Sequence, residues 1–424
     1  MTEKKTPEIR FKGFTDDWEQ RKLGSKLSLL KDGTHGTHID CEEGPYLLSA
    51  KNIKNGIVNI TTSERKISFE EFEKIHSKFK LEKDDILLTI VGSIGEAAIL
   101  KNNEHITFQR SVAYLRPKSM DTHFLYTLIT GPEFQKELKN RQVVSAQPGI
   151  YLGDLDKIPV SFPNDIAEQY QIGQFFKQLD DAITLHQRKL ELLQQTKKGF
   201  LQKIFPQQGE IQPQFRFKEF SEPWEQRKFD EAFDFPVSNN SLSRAQLNYE
   251  TGEIKSVHYG DILVNYDSVL EVGKARIPFI TDGTLKKYES NLLKNGDIIL
   301  ADAAEDETVG KAVEVSGISD DFIVAGLHTI IARPKKEMAK YFAGYYINSD
   351  IFHRQLLRLI QGTKISSISK SNLGKTMVSY PKKIEEQEQI GTFFKQLDTT
   401  IVLYQNKIEM LKQIKTAYLN DMFI

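Results

Sequence analysis

The densest grouping of side chains able to hold a metal is His35-x-x-His38-x-x-Cys41, with Asp32 and Asp40 beside it. Two imidazoles and a thiolate are zinc ligands, but a structural zinc site takes a fourth and usually a paired Cys-x-x-Cys element. Cys41 is the only cysteine, and the second half of the chain has no copy of the cluster. The stretch therefore reads as a polar loop, Asp32-Gly-Thr-His-Gly-Thr37, facing a ligand or solvent, and no metal site is expected. Gly374-Lys375-Thr376 ends like a phosphate loop, yet Ser369 stands where its first glycine belongs. Glu253-Ile-Lys255 is a fragment of the carboxylate and lysine set of a metal-dependent nuclease, of a kind that arises by chance in a lysine- and glutamate-rich chain. No Gly-x-Gly-x-x-Gly leads a strand into a helix, so a dinucleotide site is unsupported. The residue types offer no catalytic constellation.

The elements that position whatever the chain does carry are repeated. Ile172, Phe176, Leu179, Ile183, Leu190, Leu193, Phe200 and Ile204 step by 4 and 3 alternately, with His186 and Lys197 in the two heptad positions that are not apolar. Adding 218 to each number gives the same seam: Ile390, Phe394, Leu397, Ile401, Tyr404, Ile408, Leu411, Lys415, Tyr418 and Met422. A 3.5-residue apolar repeat over more than four heptads predicts two coiled-coil helices, each roughly 50 Å long. Such a seam hides only against another helix, and the chain supplies a matching one. What His186, Lys197, Tyr404 and Lys415 do there the sequence leaves open: register, or a face for a partner.

A second repeat lies upstream of each helix. Pro7 to Lys22, with Trp18, recurs as Pro213 to Lys228, with Trp224, at an offset of 206. Both tryptophans read as packing anchors for this arm. The growth of the offset from 206 to 218 places extra residues between Lys228 and Arg333. Within the first variable region, Asp84–Leu100 reads strand, glycine turn, strand, and Ile106–Leu115 as another strand. Ser68-Phe-Glu-Glu71 is a capping box opening a short helix, and a further helix over Thr122–Asn140 breaks at Gly131-Pro132. The second region repeats the scheme, with strands predicted at Gly260–Val264, Gly296–Ala301 and Ile323–Ala332 and helices from Lys336 to Leu359. The expected architecture is α+β: two similar globular domains joined by two long antiparallel coiled-coil helices, with an internal pseudo-twofold. The boundaries are 1–163 (arm and first domain), 164–206 (central helix), 207–381 (linker, arm and second domain) and 382–424 (last helix).

Bulk properties bound the rest. At 424 residues the chain exceeds one compact core. No apolar run is long enough for a membrane span, no h-region follows the start, and one cysteine suits a reducing compartment, so a cytoplasmic location is expected. A net charge of −1 argues mildly against a strongly electrostatic nucleic-acid binder but does not exclude a local basic face. Two like domains on two like helices nonetheless suit a ligand with two similar halves. Duplex DNA presents the same groove about every 34–36 Å.

The Glu-Gln-x-x-Ile-Gly-x-Phe-Phe-Lys-Gln-Leu-Asp helices from Glu168 and Glu386, and the Trp-Glu-Gln-Arg-Lys arms, carry a resemblance over essentially the whole chain. So do Asp84-Asp85-Ile-Leu-Leu, Val91-Gly-Ser-Ile-Gly95 and Gln109-Arg110-Ser-Val-Ala. The layout resembles the specificity subunit of type I restriction–modification systems. One departure is Asp302-Ala-Ala-Glu305, where the second domain would carry the Gly-x-x-Gly turn. The resemblance implies a non-catalytic subunit whose domains are target-recognition domains, each reading one half of a bipartite, asymmetric double-stranded DNA sequence. It implies helices that set the spacer and dock two methyltransferase subunits, and restriction subunits in the full complex. It implies no cofactor of the chain's own; S-adenosylmethionine, ATP and Mg belong to the partners.

Base readout needs polar side chains on loops, and cations hold phosphates. The candidates are Lys51, Asn52 and Lys54; Arg110; Arg141, Gln142, Ser145 and Gln147; and Gln361, Thr363, Lys364 and Ser366. For helix pairing they are Ile172, Phe176, Leu179, Ile183, Leu190, Leu193, Ile390, Phe394, Leu397, Ile401, Ile408 and Leu411. Two other classes compete. One is a coiled-coil adaptor whose two heads bind proteins. The other is an enzyme with its own methyltransferase domain, for which no Asn-Pro-Pro-Tyr-like tetrapeptide exists.

Overall fold

A computed structural model describes residues 6–77, 79–102, 104–143, 148–362 and 365–424. Contacts divide the chain into two compact units, Met1–Gln187 with Asn406–Ile424, and Arg188–Gln405. The helices Ile166–Lys203 and Ile384–Asp421 each pass from one unit to the other.

The first unit is built on an antiparallel sheet in the order Leu27–Asp32, Val112–Pro117, Ile86–Thr89, Ala97–Ile99. Its central strand Ile86–Thr89 is buried at every position, which is why it reads as an unbroken apolar run rather than an alternation. Helices Thr122–Thr130 and Pro132–Asn140 break at Gly131-Pro132 as predicted, with the proline at the first helical position, where a missing N–H costs nothing. Ser68 caps Phe69–His76 by accepting the Glu71 N–H. The predicted strand Ile106–Leu115 is instead two strands, Ile106–Phe108 and Val112–Pro117, separated by a turn at Gln109-Arg110-Ser111. The arm strand Glu19–Lys22 pairs antiparallel with Pro159–Phe162.

The second unit repeats this core in a five-stranded sheet ordered Phe233–Asp234, Thr329–Pro334, Ile298–Ala301, Ala312–Ser316, Val269–Glu271. It adds a four-stranded sheet containing Ile254–Val257 and Phe322–Ala325. Gly260–Val264 is not the predicted strand. It is helical from Tyr259, because the His258 side chain accepts the Gly260 N–H and caps the turn. Both units tie the start of their central strand to a neighbour in the same way. Arg116 clasps buried Asp85 at 2.7 and 2.8 Å, and Arg333 clasps buried Asp297 at 2.6 and 2.7 Å.

The repeated Glu-Gln dipeptide is the joint between helix, arm and domain. Glu168 is fully buried and accepts Arg10; Glu386 accepts Arg216 at 2.7 and 2.8 Å and Trp224 Nε1 at 3.1 Å. Gln169 donates to the Pro163 carbonyl and accepts the Asp121 N–H, and Gln387 does the same with Pro381 and Ala339. Gly173 and Gly391 admit the crossing backbone, since a Cβ would lie 2.6 Å from Phe124 N or 2.5 Å from Lys340 O. Trp18, Phe124, Phe176 and Phe423 cluster at centroid distances of 5.6 to 5.9 Å. Trp224, Phe342, Phe394 and Phe205 repeat that cluster in the second unit. The tryptophans are thus packing anchors. The arms are also hydrogen-bonded alike, Ile9 N to Asp421 O and Phe215 N to Lys203 O, both at 2.9 Å.

In each unit the helices run antiparallel. Ile172, Phe176, Ile183, Ile390, Phe394 and Ile408 are buried, and Leu179, Leu190, Leu193, Leu397, Ile401 and Leu411 half-buried. Ile172, Phe176, Ile390 and Phe394 lie in the domain cores, so the seam's beginnings pack into a domain as well as along a helix. The two lysines of the seam are paired. Lys415 Nζ meets Asp180 at 2.6 Å, and Lys197 meets Asp398. Exchanging the helices by the 218-residue repeat maps one pair onto the other, so both hold one register.

Breaking a buried pair leaves an uncompensated charge, at a cost of about 3–5 kcal/mol. Arg10→Ala should therefore destabilise strongly. Arg216→Ala should cost less, because Trp224 still donates to Glu386. Calorimetry should show the larger fall in Tm for Arg10→Ala; equal falls would refute the difference.

Candidate nucleic-acid interface

In the first unit four loops meet at the rim where strand Ile86–Thr89 ends. Thr34 N donates to Phe108 O and Arg110 N to Thr34 O, binding the Asp32–Thr37 loop to the Gln109–Ser111 turn. Ile90 N donates to Ser111 O, and Ile150 N to Ile90 O. Val143 and Gly149 close the base of the 141–149 loop, and Gly149 also bridges Val91. The Ala50 N–H, at the head of the Lys51 segment, donates to Ser111 Oγ at 3.0 Å.

The second unit builds the same rim from equivalent backbone bonds. Asp302 N donates to His328 O, and Ile368 N to Asp302 O. Gln361 and Ser367 exchange both backbone bonds, at 3.0 and 2.9 Å, closing the loop that corresponds to Val143–Gly149. Ala303-Ala304 ladder with Ser366-Ser367. The Asp302-Ala-Ala-Glu305 departure is therefore a longer version of the same turn. Thr89 accepts the Gly95 N–H and Ala301 the Gly310 N–H, and both glycines have positive φ, +97° and +86°. The turn length and the side chains differ, while these backbone closures recur. This rim carries Asn239, Asn240, His258, Tyr259, Asp302 and His328, with the Tyr259 and His328 rings 5.3 Å apart.

The structure sorts the candidates. Arg110 is exposed on its turn, and Lys54 is exposed on its short strand. Lys51 is exposed and its Nζ lies 2.9 Å from Glu64, whose carboxyl it holds below the usual range. Asn52 is a correction. It is buried, accepting the Ser49 N–H and donating to the Asn59 carbonyl, so its amide shapes the loop and reaches no base. Arg141 ends the helix Pro132–Asn140 and holds Glu137 at 2.7 Å, beside half-buried Gln142. Gln361 is exposed, while Ser366 sits half-buried in the short ladder. Ser145, Gln147, Thr363 and Lys364 lie outside the described residues. His35 contacts Asp32, and His38 contacts Glu71 and Thr34, each at the rim loop rather than around a common centre. Sequence reasoning missed Asn239, Asn240, His258, Tyr259 and His328. Aligning Thr329 with Val112 through the repeat would have pointed to the first two, whose carbonyl partners correspond.

Burial, reinforced by the Arg244 charge, holds the His258 imidazole below its ordinary pKa. Arg244 itself clasps Asp261 with two bonds of 2.8 Å. Burial raises the Asp302 carboxyl, against the pull of His328.

A family model described as the type I restriction modification DNA specificity domain matches residues 16–195 and 221–413. The chain is 24% identical over 423 residues to the type I restriction enzyme MjaVIII specificity subunit of Methanocaldococcus jannaschii, covering 96% of this chain and 92% of the relative. It is 29% identical over 169 residues to the EcoBI specificity subunit of Escherichia coli, 39% of this chain and 35% of that one. The solved S subunit from M. genitalium has the same fold, with TM-score 0.61 at 16% identity and 99% of both chains covered. A chain solved in work on complex assembly and conformational transition of the type I R-M system gives 0.50 at 13% identity, covering 96% and 97%.

Because His258 Nδ1 accepts the Gly260 N–H only while it is unprotonated, the cap should weaken as pH falls. A histidine whose folded pKa is depressed contributes stability that is full above about 6.5 and is lost as pH falls through the folded value. Lowering pH from 7 to 5 should speed amide exchange, corrected for intrinsic rate, across Tyr259–Val264. His258→Asn keeps an acceptor that does not titrate and should flatten the dependence; an unchanged profile would reject the cap as its source.

Proposed function

The chain belongs to the type I restriction modification DNA specificity family, and on that premise we propose that it is a non-catalytic reader of a bipartite, asymmetric DNA target. Each unit takes one half. The observation that carries this reading is the pair of rims: equivalent backbone bonds present different side chains, which suits half-sites of different sequence. Phosphate contacts fall to exposed Arg110 and Lys54, and base contacts to the two closed loops. The long helices set the spacer, supported by the two register-fixing pairs Asp180–Lys415 and Lys197–Asp398. Their outer faces dock two methyltransferase subunits. In support, Leu185 and Leu192 on one helix, and Leu403 and Met410 at the equivalent positions of the other, are exposed apolar side chains. S-adenosylmethionine for adenine methylation, and ATP and Mg for added restriction subunits, belong to those partners, and the assembly works in the cytoplasm. No finding favours the adaptor reading.

In complex with methyltransferase subunits, Arg110→Ala should weaken target and scrambled duplex alike and flatten the salt slope by about 0.9, the share of one phosphate. Lys364→Ala tests the second loop in the same titration. An unmoved slope for both changes would remove these loops from the interface. Asn52→Ala should instead lower stability with little effect on affinity per folded molecule.

Removing seven residues between Asp180 and Lys197, and seven between Asp398 and Lys415, keeps both ion pairs and shortens each helix by about 10 Å. Methylome sequencing should then show unchanged half-sites with a spacer shorter by about three base pairs. An unchanged spacer would sink the ruler.

A further inference from the structure

The two arms differ at one edge. In the second unit the outward edge of strand Met377–Tyr380 is capped by side chains. Gln355 accepts the Met377 N–H at 2.8 Å and donates to its carbonyl at 3.0 Å, and Tyr346 OH accepts the Ser379 N–H at 2.9 Å. The linker also lies along this arm, with Trp224 N donating to Ile211 O and Gln226 to Glu210 O.

Among the described residues the first unit lacks these caps. The positions of Tyr346 and Gln355 are held by Leu128 and Glu137, and Glu137 is turned to Arg141. Strand Pro159–Phe162 spends Val160 and Phe162 on the arm strand. By alternation, Ser161 N–H, Ser161 C=O and Pro159 C=O face outward, and among the described residues no side chain takes the Ser161 N–H. They face a cleft of about 900 Å³. Its floor includes Trp18, Leu128, Phe134, Val160, Leu419 and Phe423. Among the described lining residues the acidic ones, Glu8, Asp17, Glu19, Glu133 and Glu137, outnumber the basic Arg21, with Glu19 paired to Arg21, Glu133 to Lys136 and Glu137 to Arg141.

An unpaired strand edge over an apolar floor is the geometry of strand addition. The acidic excess around the cleft, with Asp17 outside these pairs, sets the occupant's charge and disfavours nucleic acid. We propose that this cleft receives an extended lysine- or arginine-rich segment of a partner protein, which adds as a third strand beside Pro159–Phe162. Alternate side chains enter the floor, and those between them meet the carboxylates. Because the equivalent edge of the second unit is capped, each chain takes one such segment.

The test uses the full chain without DNA, carrying Trp224→Phe so that Trp18 on the cleft floor is the sole tryptophan. The probes are the peptides Lys-Val-Lys-Val-Lys-Val and Glu-Val-Glu-Val-Glu-Val. The basic peptide should change Trp18 emission saturably, and the acidic one should not. Ser161→Pro, which removes an N–H the arm does not use, should weaken the basic peptide at least tenfold. Asp17→Lys with Glu133→Lys, which leaves the strand untouched, should do the same. Response to neither peptide, equal response to both, or indifference to both sets of substitutions overturns the proposal. Binding gained only once residues 1–5 are removed also overturns it, giving the cleft to the chain itself.

Discussion

A carboxylate taken out of water must be met by donors, and this chain buries one at the start of each long helix. Glu168 and Glu386 would be prohibitive alone. Arg10 and Arg216 come from the arms to meet them, so the arm is fixed wherever the helix begins. Gln169 and Gln387, one residue on, bind the same helix start to two loops of the domain. Gly173 and Gly391, one turn later, let the domain backbone lie against the helix. A single buried charge thus orders arm, helix and domain together. The rim loops inherit their positions from that joint.

Much of this was legible because duplication repeats its own signal. The helices, the arms, the Gly131-Pro132 break and the Ser68 cap all follow from local spacing. What Lys197 and Lys415 do was not legible, since each meets an aspartate on the other helix and nothing local names it. Tyr259–Val264 was misread because its apolar run fits a strand, while its cap depends on which way the His258 ring turns. Asn52 looked like a reader because asparagine reads bases. Its two bonds across the Ser49–Asn59 turn are tertiary facts without a sequence pattern.

The rims divide structure from variation. Backbone groups carry the bonds that recur between units, as in Ile90 to Ser111 and Asp302 to His328. A bond between main-chain atoms survives almost any change of side chain. The Asp302–Val309 stretch tolerates added length for the same reason, since its ends are fixed at Ala301 and Gly310. The exceptions are side chains drawn into shaping, such as Asn240 on the Ala325 carbonyl and His258 on Gly260.

The paired bonds Phe215 to Lys203 and Ile9 to Asp421 are alike in length and unlike in what they enclose. The first closes a loop of about a dozen residues; the second spans about four hundred. Closure entropy grows with the logarithm of loop length, so the second joint starts about 3 kcal/mol behind the first. On the ribosome the difference becomes one of order. The second unit has all its parts once its share of the last helix has emerged. The first unit, made earliest, waits for Asn406–Ile424. Until then Trp18 and Phe124 lack the ring of Phe423 that packs on both. The half of the molecule synthesised first is therefore the last to be finished.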